Sequence, residues 1–259
     1  MTDRVLSFEG IHNFRDYGGY RTRSGLMRSG LLWRSGQHGD ATPGDLAGLA
    51  GLRIATVIDL RGDTERRLAP CRRHDGFDGT VLFAPGETTG SELAPHEEAG
   101  AGIATATEAR AAMRRLYATM PFRDVLTGSL SLYFEALATR DGASLLHCLA
   151  GKDRTGLAVA LLHSLLGVGE DDVMADYLLT NTAGDPERRI ASAAVSVRER
   201  YGPRMSDEAV IALMSVEADY LHTALAAIRE RHGNVETYAE QALGVDAARR
   251  EAIAARLIG

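Results

Sequence analysis

Ala143-Ser144-Leu145-Leu146-His147-Cys148-Leu149-Ala150-Gly151-Lys152-Asp153-Arg154-Thr155-Gly156 reads as an apolar strand, a short loop and the start of an apolar helix. Cys148 and Arg154 are separated by five residues. That spacing lets the backbone curl so that successive N–H groups converge on one point. The helix that starts near Arg154 aims its positive end at the same point. The stretch therefore predicts an anion cradle with a thiol at its floor, set between a strand and a helix of an α/β layer.

Each residue type in the cradle has a physical task. Converging amides, a helix N-terminus and a guanidinium favour a cysteine thiolate, so Cys148 is the candidate nucleophile, and a thiolate there can attack phosphorus. Arg154 presents a planar fork matched to two phosphoryl oxygens. The anion-binding set is then Cys148, Leu149, Ala150, Gly151, Lys152, Asp153 and Arg154. Thr155 is placed to hydrogen-bond the thiolate, Gly151 to let the backbone turn, and Gly156 to let the helix pack closely. A leaving alkoxide or phenoxide needs a proton, and Asp153 is the nearest carboxylate in sequence. Asp59 and Asp63, with Arg61 between them, end another strand and are the runners-up. His147 either supports the loop or serves as a base. Lys152 is the single lysine among 29 basic residues, a bias that fits a GC-rich genome.

Working outward, Ile54–Leu60 and Thr80–Phe83 read as further strands, and Thr42-Pro43 opens a short helix. Helical periodicity covers roughly 108–120 and 123–139. It resumes over 155–166, closed by Gly167, then over 170–181 and 185–201, with short helices ending near Leu243 and Ile258. The polar stretch from Gly86 to Gly102 is a lid candidate or a surface insertion. The expected architecture is one domain over 1–259: a small parallel or mixed sheet flanked by helices, a helical insertion over about 86–139 and a helical C-terminal part over about 168–259. Cys71 is an ordinary thiol or a redox partner of Cys148. Arg34 contacts substrate or pairs with an acid.

Composition removes several function classes. The 259 residues are 45% apolar and 25% charged with a net charge of −6, which disfavours non-specific nucleic-acid binding. Two cysteines make no disulfide framework, and no apolar run reaches the roughly 20 residues of a bilayer span. A cytoplasmic location is the default expectation; export by a non-Sec route would leave no readable mark. Lys152 is followed by Asp153, so the loop is not of the Gly-x4-Gly-Lys-Ser/Thr nucleotide-binding type. The dinucleotide and zinc-protease motifs are missing too. A mechanism without metal or other cofactor is expected.

His147 to Gly156 resembles the signature of the bacterial and fungal tyrosine-phosphatase-like proteins, including mycobacterial and listerial secreted members. The resemblance extends through Asn13-Phe14-Arg15-Asp16-Tyr17-Gly18-Gly19, Trp33-Arg34-Ser35-Gly36, Val57-Ile58-Asp59-Leu60-Arg61 with Glu65, Asp176-Tyr177-Leu178-Leu179, Tyr220-Leu221 and Gly233-Asn234-Val235-Glu236-Thr237-Tyr238. Gly86 to Met120 has no clear counterpart. The resemblance implies a cysteine-phosphatase fold, a phosphocysteine intermediate, inorganic phosphate as product and Asp153 as general acid. It also implies phosphotyrosine as substrate, with dual-specificity action on phosphoserine and phosphothreonine in some members, and links Lys152 to phosphoinositides. The alternatives are a phosphatase for an inositol lipid or a small phosphorylated metabolite, a non-catalytic phosphate-binding module, and a sulfur carrier.

Overall fold

A computed structural model of the chain describes residues 4–88, 102–183 and 204–259, with positions 187, 190, 191, 194, 195 and 198 between the last two. The sheet runs in the order β1 (Arg15–Asp16), β2 (Leu32–Ser35), β5 (Ala143–His147), β3 (Ile54–Asp59), β4 (Thr80–Leu82). Only β1 is antiparallel to its neighbour. The strand that leads into the cradle is thus central, with parallel partners on both sides. Its loop emerges at the carboxyl edge, where open parallel sheets gather their sites.

Alternation along the strands sorts the core into two faces. Trp33, Val57 and Leu145 join Ile11, Phe14 and Leu49 on one face, beneath α1 (Pro43–Gly51). Leu32, Ile58 and Leu146 turn to the other face and the larger helical core, which also holds Cys148. α1 begins as the sequence predicts: Thr42 and Asp45 form a capping box, with proline in the first turn.

α2 (Asp63–Leu68) follows β3. The insertion holds α3 (Ala106–Thr119) and α4 (Asp124–Thr139), parted by a 3-10 turn over Met120–Phe122. α5 (Asp153–Leu165) is buried from Asp153 through His163, which explains why its sequence shows no polar stripe. α6 (Glu170–Leu178), α7 (Asp207–Met214), α8 (Ala218–His232), α9 (Val235–Leu243) and α10 (Ala247–Leu257) complete the described chain. Strands β1 and β2 are too short to leave a periodic signal in the sequence, and α5 starts two residues before the expected Thr155. Most of the lid candidate, at 89–101, and most of the expected helix over 185–201 lie outside the described residues.

Candidate active site

The loop between β5 and α5 has its carbonyls tied outward. Gly151 O accepts from Asn13 Nδ2 at 2.7 Å and from Arg34 Nη2 at 3.1 Å, and Leu149 O accepts from Gln37 N at 2.9 Å. Among the described residues, no acceptor engages the amides of Leu149, Ala150 or Gly151. Tethered carbonyls on one side leave a run of free donors on the other, beside Cys148, which is 2% exposed. Gly151 makes this turn with φ +66°, and a Cβ there would lie 2.4 Å from the Ser35 backbone carbonyl. Gly151→Ala is therefore expected to destabilise the fold by about 1–3 kcal/mol and to displace the loop, read as a lower urea midpoint with an activity loss beyond the unfolded fraction. A midpoint within error of the parent would refute it. Gly156 meets its expected close approach: a Cβ would stand 2.9 Å from the Tyr177 ring.

Arg154 is held as a fork. Its Nη2 donates to Glu65 Oε1 at 2.6 Å. Its Nη1 donates to Glu65 Oε2, to Thr88 Oγ1 at 2.6 Å and to Leu60 O at 3.1 Å. Burial opposes its charge, and the Glu65 carboxylate outweighs burial and holds the guanidinium above its ordinary pKa. Its Nε is buried with no partner among the described residues, as is Thr155 Oγ1. Buried orphan donors call for a ligand or a role. Glu65, itself fixed by the Gly62 amide at 2.9 Å, stood in the sequence only as a motif member. Its spacing from Gly62 as a helix-capping acid was the available clue.

Asp153 opens α5 and is 3% exposed. Its Oδ1 accepts from the Tyr117 hydroxyl at 2.8 Å and lies 3.3 Å from Lys152 Nζ. Tyr177 donates to the Tyr117 hydroxyl at 2.7 Å. Lys152 is fully buried, and its ammonium binds the carbonyls of Leu213 and, at 3.1 Å, Ser215 at the end of α7. The lysine therefore clips the loop to a C-terminal helix.

The runners-up have partners of their own. Asp59 shares the parity of Val57, on the face away from the larger core, and Arg61 binds its carboxylate through Nε at 2.9 Å and Nη2 at 2.7 Å. Burial would raise the Asp59 pKa; His147 and Arg61 reverse this and hold it well below the ordinary carboxylate range. Asp63 is half-exposed, pairs with Arg66 and accepts from the Gly86 amide at 2.7 Å. His147 points its Nδ1 at Cys148 O at 3.3 Å, and burial pushes its pKa down to about 4. A neutral imidazole stacked on His38, with ring centroids 5.2 Å apart, buttresses the loop. Asp59, Cys71 and His147 offer ligand atoms within 4.8 Å of one another, but Arg61 already supplies the cation, donating to Asp59 and, at 3.2 Å, to Cys71 Sγ.

Beneath the loop, one buried carboxylate holds two arginines. Asp176 accepts from Arg34 Nη1 at 2.5 Å and Arg15 Nε at 3.4 Å, and its carbonyl accepts from Arg15 Nη2 at 2.9 Å. Of the two readings of Arg34, the structure gives the acid pair. Burial would raise the Asp176 pKa, and the two guanidiniums pull it far below the ordinary range. Arg15 is pushed down to about 9 by burial and by Arg34.

A profile of the tyrosine phosphatase family matches residues 6–259. The chain is 32% identical, over 94% of its length and 85% of the relative's, to a provisionally named tyrosine-protein phosphatase of Cupriavidus necator. It is 29% identical to the triple specificity protein phosphatase PtpB of Mycobacterium tuberculosis, over 92% and 94% of the two chains. A tyrosine-protein phosphatase of Nostoc commune matches at 46% over 43 residues, 17% of this chain and 15% of its own. Matches that run through nearly the whole sheet and its helices make the chain a member of the tyrosine phosphatase family, a cysteine-dependent phosphatase.

Proposed function

We propose that the chain hydrolyses phosphotyrosine, with further action on other phosphorylated residues, through a phosphocysteine on Cys148. The observation that carries this reading is the loop itself: a thiol, a run of free amides, the orphan Nε of Arg154 and the carboxylate of Asp153 on one contiguous turn. In the first step the Cys148 thiolate forms an S–P bond as the P–O bond to the leaving group breaks. Asp153, in its acid form, gives that oxygen its proton. In the second step Asp153 takes a proton from water, the water oxygen bonds phosphorus, and the S–P bond breaks to release inorganic phosphate and the thiolate. The amides and Arg154 hold the equatorial oxygens, where charge gathers in both steps.

The resemblance that links Lys152 to phosphoinositides raises a lipid reading. Lys152, the residue linked to it, has its ammonium on the Leu213 and Ser215 carbonyls, which favours the peptide substrate. The test is a panel of a phosphotyrosine peptide, a phosphoserine peptide and phosphoinositide vesicles. The highest kcat/KM is expected for phosphotyrosine, and a higher value for the vesicles would replace that assignment. In the same assay Arg154→Lys is expected to lose about 10²- to 10³-fold in kcat, because a point charge cannot keep both the Glu65 pair and the phosphoryl contact. A loss under tenfold would remove Arg154 from the chemistry.

A further inference from the structure

A hydroxyl donor and a cation meet one oxygen of Asp153. The Tyr117 hydroxyl lies 2.8 Å from Oδ1 and Lys152 Nζ lies 3.3 Å from it, while no described donor reaches Oδ2. The direction of the Tyr117 bond is fixed by its neighbour. Tyr177 spends its proton on the Tyr117 oxygen at 2.7 Å, so the Tyr117 proton goes to the carboxylate. Both phenols are buried. Burial first, then the charge of Asp153, keeps Tyr117 well above its ordinary pKa and therefore a donor.

An acid proton on Oδ1 would confront the Tyr117 hydroxyl and the lysine ammonium, donor against donor. On Oδ2 it meets no such opposition. The first-turn aspartate of a helix otherwise has rotational freedom about χ1 and χ2, and a proton donor that wanders by an ångström loses much of its advantage.

We propose that Tyr117 is the positioning residue of the general acid: its hydroxyl, oriented by Tyr177, pins Oδ1 of Asp153 so that proton exchange with the leaving group and then with water runs through Oδ2. The inference rests on Asp153 being that acid. It gives the insertion a role in the chemistry, because Tyr117 comes from α3, outside the loop.

The test compares phenyl phosphate, with its poor leaving group, and p-nitrophenyl phosphate, with its good one, in the full chain. Tyr117→Phe is expected to lower kcat about tenfold on phenyl phosphate and less than about threefold on p-nitrophenyl phosphate, with KM unchanged. Tyr117→Phe combined with Asp153→Asn is expected to be no slower than Asp153→Asn alone. An equal loss on both substrates, or losses that multiply in the double variant, would show a structural role only and overturn the proposal. If Asp153→Asn discriminates between the substrates and Tyr117→Phe does not, the positioning role alone fails. If Asp153→Asn does not discriminate, the acid assignment fails and takes this one with it. Should Tyr117→Phe not fold, Tyr177→Phe keeps the bond to Asp153 but frees its direction. It is expected to lose about threefold on phenyl phosphate alone, and an unchanged ratio between the substrates would overturn the proposal.

Discussion

Cys148→Ser is expected to abolish turnover, with a fall in kcat of about 10⁴-fold or more, while leaving the fold intact. A serine hydroxyl keeps its proton where a thiol can lose its own, so the cradle would surround a group with almost no nucleophilic form. The change in volume is small, and Cys148 sits at the edge of the large core with Leu146 and Leu157, so stability should shift by no more than about 1 kcal/mol. The amides and Arg154 remain, and calorimetry should still record binding of inorganic phosphate. In the parent, acid quenching during turnover of a phosphotyrosine peptide should leave phosphate on the peptide that contains Cys148, detected by mass spectrometry. Turnover by the serine variant within tenfold of the parent would end the thiolate mechanism.

Removing the Asp176 carboxylate should be the most damaging single change to stability. Arg15 and Arg34 are both fully buried, and Asp176 is the carboxylate they share. Asp176→Ala leaves two cations uncompensated in the interior, at a cost of about 3–5 kcal/mol, a large part of the folding free energy of an ordinary domain. Urea unfolding at neutral pH measures this, and a loss below about 1 kcal/mol would show that the pair is not what holds the loop's foundation.

The same carboxylate sets an acid limit. Its folded pKa lies below the ordinary 3.8, so the folded state binds fewer protons than the unfolded state. Its contribution is complete above 3.8 and is lost as pH falls from there through the lower folded value. Asp176→Asn should therefore unfold with a shallower pH dependence in that window than the parent.

The cradle was legible because its physics is local. Strand, loop and helix are contiguous, and Gly151 and Gly156 stand where the turn and the close helix approach require them. The alternation of Val57 with Ile58 and of Leu145 with Leu146 likewise marks two buried faces. Strands β1 and β2 were hidden because they are short, and because Arg15, Arg34 and Ser35 break the apolar pattern of a buried strand while lying fully buried in a polar network. The Arg154–Glu65 fork and the Tyr117–Asp153 bond were beyond reach for another reason. Their partners are 89 and 36 residues apart, and no periodicity encodes a pairing across such distances.

Those separations bear on how the protein comes into being. The Gly151 carbonyl is tied to Asn13 across 138 positions, and Arg34 to Asp176 across 142. Closing such loops is entropically costly, and a fold rich in contacts of this range folds more slowly than one built from local contacts. A chain emerging from the ribosome carries its cysteine long before the amides around it are marshalled. The tether to Asn13 and the carboxylate foundation at Asp176 draw on residues 13 to 176, so the cradle is incomplete in any partly folded chain that lacks those contacts.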